Sequence, residues 1–237
     1  MGVASQVVVY GAVTFLQPIL ALHLEKFGYT PSFIGLSFAI PTLIYAATSP
    51  LVFVMTSKMR KPGVILIGYS LLTLGMFLTG PSKLLGIYNS PSFIILGLAI
   101  TGFGCGMVII PVLPDMIEAA EDRYPFLNED ELHNNISGVF IAAQGLGETL
   151  GPIMGSVFED VYGFRTAADI IAVGISAFLI LYFLTCGGFT AFKGAKFIMS
   201  PKVTVESESN TSPTGKRMEF KYIGAPRVKR LSIKGEA

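Results

Sequence analysis

Five stretches of this chain run for more than twenty residues without one Asp, Glu, Lys or Arg: residues 1–24, 27–57, 62–82, 84–114 and 170–192. A bilayer core about 30 Å thick is crossed by roughly 20 apolar residues of helix rising 1.5 Å each, so each stretch is long enough to span it. Spans are expected at about 3–24, 33–55, 64–80, 93–113, 136–158 and 170–188. Barrel strands would instead give short segments of alternating polarity. The expected fold class is all-α: a polytopic membrane protein forming a six-transmembrane-helix bundle over residues 1–192, with a polar, basic, disordered tail over 193–237. Composition agrees, with 51% hydrophobic and only 14% charged residues, against roughly 25% charged in a soluble domain. A net charge of +1 leaves no footprint for nucleic acid.

The basic residues set an orientation. An even number of spans places both termini on one side. Seven basic residues (Lys58, Arg60, Lys61, Arg123, Lys193, Lys196 and Lys202) share that side, against three opposite (Lys26, Lys83 and Arg165). Both termini are therefore expected in the cytosol, in an endomembrane or the plasma membrane. The sequons at Asn135 and Asn210 are then unused. The first span begins almost at Met1 without a basic flank, which resembles a cut through a larger protein more than a signal peptide. Connections are expected at 25–32, 56–63, 81–92, 114–135 and 159–169, with a short surface helix over 115–123. In the tail, Arg227, Lys229, Arg230 and Lys234 surround Ser232, a pattern suited to anionic lipid. Cys105 and Cys186 show no metal-binding spacing, and no cofactor motif is present.

Polar residues inside apolar helices carry the functional information. Glu148 falls near the middle of the fifth span. An ionised side chain there costs on the order of 2.5 to 3.5 kcal/mol, so it must face a cavity, pair, or stay protonated. A carboxyl group whose surroundings alternate between water and protein takes up and releases a proton as they change. Proton coupling or cation binding is the chemistry such a group offers. Gln144 lies one turn earlier on the same face. Gly147, Gly151 and Gly155 recur every four residues, a spacing for close helix packing. In the first span Gln6, Tyr10, Thr14 and Gln17 fall within an arc of about 80°. Ser37, Tyr45 and Thr48 form a second stripe around Pro41. In the fourth span Gly102, Gly104 and Gly106 precede Pro111 and Pro114, which reads as a flexible or interrupted helix. The third and sixth spans are plainer and are expected at the lipid-facing periphery.

On these residues the chain resembles the carboxyl-terminal half of a major facilitator superfamily transporter. The likeness is strongest from Ile136-Ser-Gly-Val-Phe through Gly147-Glu-Thr-Leu-Gly-Pro-Ile-Met-Gly-Ser to Tyr162-Gly-Phe-Arg165, which is similar to the eleventh helix and following loop of the vesicular amine and polyamine branch. Phe27-Gly-Tyr-Thr-Pro-Ser-Phe-Ile-Gly-Leu-Ser-Phe-Ala carries a second likeness. The resemblance implies a cavity lined by the first, second, fourth and fifth helices, and a proton-coupled antiporter of small organic cations. Two departures stand out. The loop at 56–61 is basic without an adjacent acidic residue, and Ile109 follows the 102–108 stretch where monoamine carriers place an aspartate.

The expected function is thus secondary active transport by alternating access, with this chain as one of two rocking bundles. Glu148 carries the proton or touches the cation. Gln144, Gln17, Tyr10 and Tyr45 offer hydrogen bonds in a substrate cavity, and Asp115 stands ready for a gating ion pair. Expected partners are the lipid bilayer, a small-molecule substrate, protons, and a missing N-terminal six-helix half or a second copy. A non-transporting regulatory half or a truncated product is the alternative. A membrane-embedded enzyme finds little support, since His23 and His133 fall on opposite sides.

Overall fold

The structure is a computed structural model describing residues 1–86, 88, 90–126, 128–186, 188 and 191. The tail expected from residue 193, with its basic cluster around Ser232 and the Asn210 sequon, lies outside the described residues. Six helices follow one another: α1 (Gly2–Lys26), α2 (Pro31–Lys58), α3 (Lys61–Thr79), α4 (Pro91–Arg123), α5 (Glu129–Tyr162) and α6 (Phe164–Thr185). Local chemistry explains where they begin. Proline stands in the first turn of α2, α3 and α4, where its missing N–H has no partner to lose. Glu129, Asp130 and Glu131 open α5 against the positive end of its dipole. Gly163, at φ 77°, ends α5 and starts α6 in a single-residue turn.

Successive helices run antiparallel, which gives the bundle two ends. The near end carries Met1, residues 58–61, the α4–α5 connection and Thr185; the far end carries Lys26, the α3–α4 loop and Gly163. α3 packs most extensively on α4 and α1 on α5, with α2 on α4 and α6 on α3. Phe15, Ile19, Tyr69, Leu72, Met76, Ile94, Val108 and Ile175 form the main apolar core. Within it the Ser5 hydroxyl lies 2.8 Å from the Tyr69 oxygen, and Tyr69 donates to the Ser5 carbonyl at 2.7 Å. At the far end three residues from the start of α6 hold the α3–α4 loop. Arg165 Nε donates to the Pro81 carbonyl at 2.6 Å, and Thr166 Oγ1 accepts from Lys83 Nζ at 3.1 Å. Buried Asp169 accepts from the Lys83 backbone N–H at 3.1 Å. His23 stacks on Phe164 beside this clamp.

Several expectations are corrected. The fourth connection is far shorter than 114–135, because α4 continues to Arg123 and α5 already starts at Glu129. The segment 115–123 is the end of α4, not a separate surface helix; its Met, Glu, Ala and Arg residues sustain a helix after it leaves an apolar setting. The loop at 159–169 shrinks to Gly163 for the same reason. α4 is also uninterrupted. Pro111 and Pro114 lie inside it, and its glycines admit neighbours: a Cβ on Gly102 would stand 2.6 Å from Pro41 Cα, and one on Gly104 would stand 2.7 Å from the Leu72 nitrogen. Within the bundle α3 is the more enclosed of the two helices flanking α4: about half of its most apolar stretch is buried, whereas the buried residues of α2 are only Ser37, Thr48 and Val52.

Among the described residues five helices are long and apolar enough to cross a membrane. α5, with 34 residues, has the length. Its Gly, Ser, Thr, Gln and Glu side chains dilute its apolar average.

Candidate functional site: a cavity beside α1

A cavity of about 660 Å³ opens between α1, α2 and α4. Its walls are mostly apolar, from Val13, Leu16, Phe38, Leu98 and Ile109, and four lining residues carry hydroxyl or amide groups, Tyr10, Gln17, Thr42 and Tyr45; a fifth, Thr101, keeps its hydroxyl buried against Gly75 of α3. This is the usual make-up of a small-molecule site, in which apolar surface supplies contact and a few polar groups fix orientation. Three expected residues (Tyr10, Gln17 and Tyr45) therefore meet at one place. α3 and α6 contribute nothing to the lining.

The remainder of the expected stripes does something else. Thr14 turns toward α5, donating to the Tyr10 carbonyl at 2.8 Å and the Gly147 carbonyl at 3.3 Å. Ser37 and Thr48 are buried and donate back to their own helix, to the carbonyls of Phe33 and Ile44. Thr42, Thr101 and Cys105 line the cavity without having been singled out. Thr42 precedes Tyr45 by one turn, a spacing that wheel arithmetic on α2 detects; Thr101 is reachable only through the tertiary fit of α4 against α2.

Glu148 and Gln144 stand on α5, outside the cavity lining. Gln144 Nε2 donates to Glu148 Oε1 at 2.9 Å, and the pair lies on a face of α5 that this bundle leaves uncovered. Immediately behind Glu148 the glycine stripe meets α1 backbone to backbone. A Cβ on Gly147 would stand 2.7 Å from the Val7 carbonyl oxygen, one on Gly151 2.6 Å from that of Gly11, and one on Gly155 2.5 Å from that of Phe15. So α5 grips α1 on a side away from the cavity lining, with Glu148 one position beyond Gly147.

At the near end Lys61 Nζ lies 2.5 Å from Glu118 Oε2 and donates to the Pro114 carbonyl at 3.1 Å. The basic loop without an acidic neighbour in sequence thus finds one on α4. Asp115 lies half-buried one turn before Glu118 on the same helix. Glu118 was not singled out, because its pairing with Lys61 spans 57 positions. No cluster of metal-ligating side chains occurs among the described residues.

An all-helical, multi-pass membrane bundle with an amide- and hydroxyl-lined cavity between its helices defines the class. Residues 3–189 match the family model of the Major Facilitator Superfamily, and the chain belongs to that family. It is similar to the MFS-type transporter SLC18B1 of Mus musculus, at 36% identity over 161 residues, 65% of this chain and 34% of that protein. Against SLC18B1 of Homo sapiens the identity is 34% over 160 residues, 66% of this chain and 35% of the relative. The Rattus norvegicus protein gives 36% over 163 residues, again 66% and 35%. The matched part of the chain spans about a third of the length of these curated relatives.

Proposed function

We propose that this bundle is one six-helix half of a secondary transporter that exchanges protons for small organic cations by alternating access. The cavity beside α1 carries the reading: it has the volume for an amine-sized ligand, an apolar lining for its carbon skeleton, and Tyr10, Gln17, Tyr45 and Thr42 to hydrogen-bond its nitrogen. In this reading Glu148, oriented by Gln144, takes the proton or faces the cation. Its uncovered face on α5 then meets the complementary half or a second copy, since lipid would not accommodate it. Asp115 joins Lys61 and Glu118 in a near-end gate that breaks and re-forms during the cycle. Residues 1–192 make the bundle, and 193–237 a tail on the same side as Met1, both facing the cytosol.

Reconstituted protein with an imposed pH gradient tests this. Uptake of a radiolabelled amine is expected to follow the gradient. Glu148→Gln is expected to lower gradient-driven uptake by at least about tenfold, a loss of roughly 1.4 kcal/mol in transition-state stabilisation, while leaving expression unchanged. Gradient-driven uptake equal in the variant removes Glu148 from the mechanism. Absence of uptake by the unmodified chain, alone and with a complementary half, favours a non-transporting role.

A further inference from the structure

The polar stripe of α1 continues below the floor of the cavity. Around the helix axis Gln6 lies about 20° from Gln17 and from Val13, and about 40° from Tyr10; along the axis it is about 6 Å from Tyr10 toward the near end. It therefore shares the α1 face that borders the cavity. Yet it borders nothing open. Gln6 is 0% exposed, and neither Oε1 nor Nε2 meets a hydrogen-bond partner among the described residues. The surrounding near end is shut: the Met116 side chain occupies the place where a Cβ on Gly2 would lie, and Ser5 is held to Tyr69. A primary amide brings two donors and an acceptor that all go unmet here, which works against burial. Methionine would fill similar space without that cost. Another conformation, in which water or a ligand reaches it and its hydrogen bonds are made, accounts for an amide in such a place.

We propose that Gln6 is a second, transient station for the transported ammonium group, lying between the cavity and the near end of the bundle. It is sealed in the conformation described and reached by water and cation when α1 and α4 part at that end. The inference rests on the transport reading above. Oε1 accepts from an ammonium N–H, and Nε2 donates to water travelling with it. A neutral amide holds a cation more weakly than a carboxylate does, and a station on a path must release what it binds.

Thiol chemistry in proteoliposomes tests the assignment. A Gln6→Cys variant, in a Cys105→Ala, Cys186→Ala background, is exposed from the near-end side to a membrane-impermeant cationic methanethiosulfonate. Modification is expected, slowed at least about fivefold by spermidine and not by sodium chloride of equal ionic strength. Resistance to the reagent under every pH gradient and amine condition overturns the proposal. So does modification that spermidine fails to slow, which describes a wet crevice and no station. Gln6→Met adds an independent readout: turnover is expected to fall at least about tenfold with KM within about twofold. Unchanged turnover with raised thermal stability marks Gln6 as an unsatisfied packing residue and overturns the station. Spermidine uptake by the unmodified chain reports separately on the transport reading; where it is absent, protection of the Gln6→Cys thiol still decides whether cations reach this position.

Discussion

Toward α5, helix α1 meets its neighbour backbone to backbone; toward α2 and α4, it stands off by the length of a tyrosine and a glutamine side chain. The first face is made by Gly147, Gly151 and Gly155 nesting against Val7, Gly11 and Phe15. The second carries Tyr10 and Gln17, and about 660 Å³ stays open in front of them. Without water to drive apolar surfaces together in a membrane, small residues that let backbones touch provide the dispersion contacts that hold two helices. Large polar side chains keep helices apart and give a ligand something to bind. One helix thus belongs to a rigid pair on one side and to a cavity wall on the other.

Substitutions on the two faces should therefore have different signatures. Gly151→Leu inserts four carbons where the Gly11 carbonyl already lies, and is expected to destabilise the fold by about 3 kcal/mol or more. Thermal unfolding in detergent measures it; a stable Gly151→Leu protein would break the claim that this face is backbone-tight. The double substitution Tyr45→Phe, Gln17→Leu removes cavity hydrogen bonds without removing volume. It is expected to weaken amine binding by about tenfold, or about 1.4 kcal/mol, with unfolding temperature unchanged. A fall in stability without a change in binding would show that these side chains brace the bundle. The smallest effect belongs to Thr14, whose hydroxyl joins the two helices of the rigid pair. Thr14→Val is expected to cost about 1 kcal/mol of stability and to leave amine binding alone.

The rigid face was more legible in the sequence than the open one, for a physical reason. Glycines every four residues declare a stripe on a single helix, so Gly147, Gly151 and Gly155 identify themselves without knowledge of their neighbour. A cavity belongs to three helices at once. Tyr10, Gln17 and Tyr45 were visible as polar side chains in apolar runs, whereas Thr14 and Thr48 had the same look and serve interhelical or intrahelical hydrogen bonds. Helix ends show the reverse error. Apolar runs measure where a bilayer lies, not where a helix stops, so the charged turns at 115–123 were read as a separate surface helix and those at 129–135 as loop, although they extend α4 and α5. Hydropathy is equally blind to whether an apolar face meets lipid or protein. Nothing in the α3 run announces that Tyr69 is buried against Ser5, 64 positions away.

Those extended turns have a practical side. α4 and α5, at 33 and 34 residues, are each about 50 Å long, well beyond an apolar slab about 30 Å thick. Their projecting ends are braced by the 2.6 Å contact between His133 Nε2 and Glu121 Oε1, with only residues 124–128 between them. Small membrane proteins are hard to align in electron micrographs because little protrudes from the micelle. This braced hairpin is a handle: a rigid helical fusion spliced in at 124–128, or a binder raised against it, would supply the missing landmark without touching the cavity.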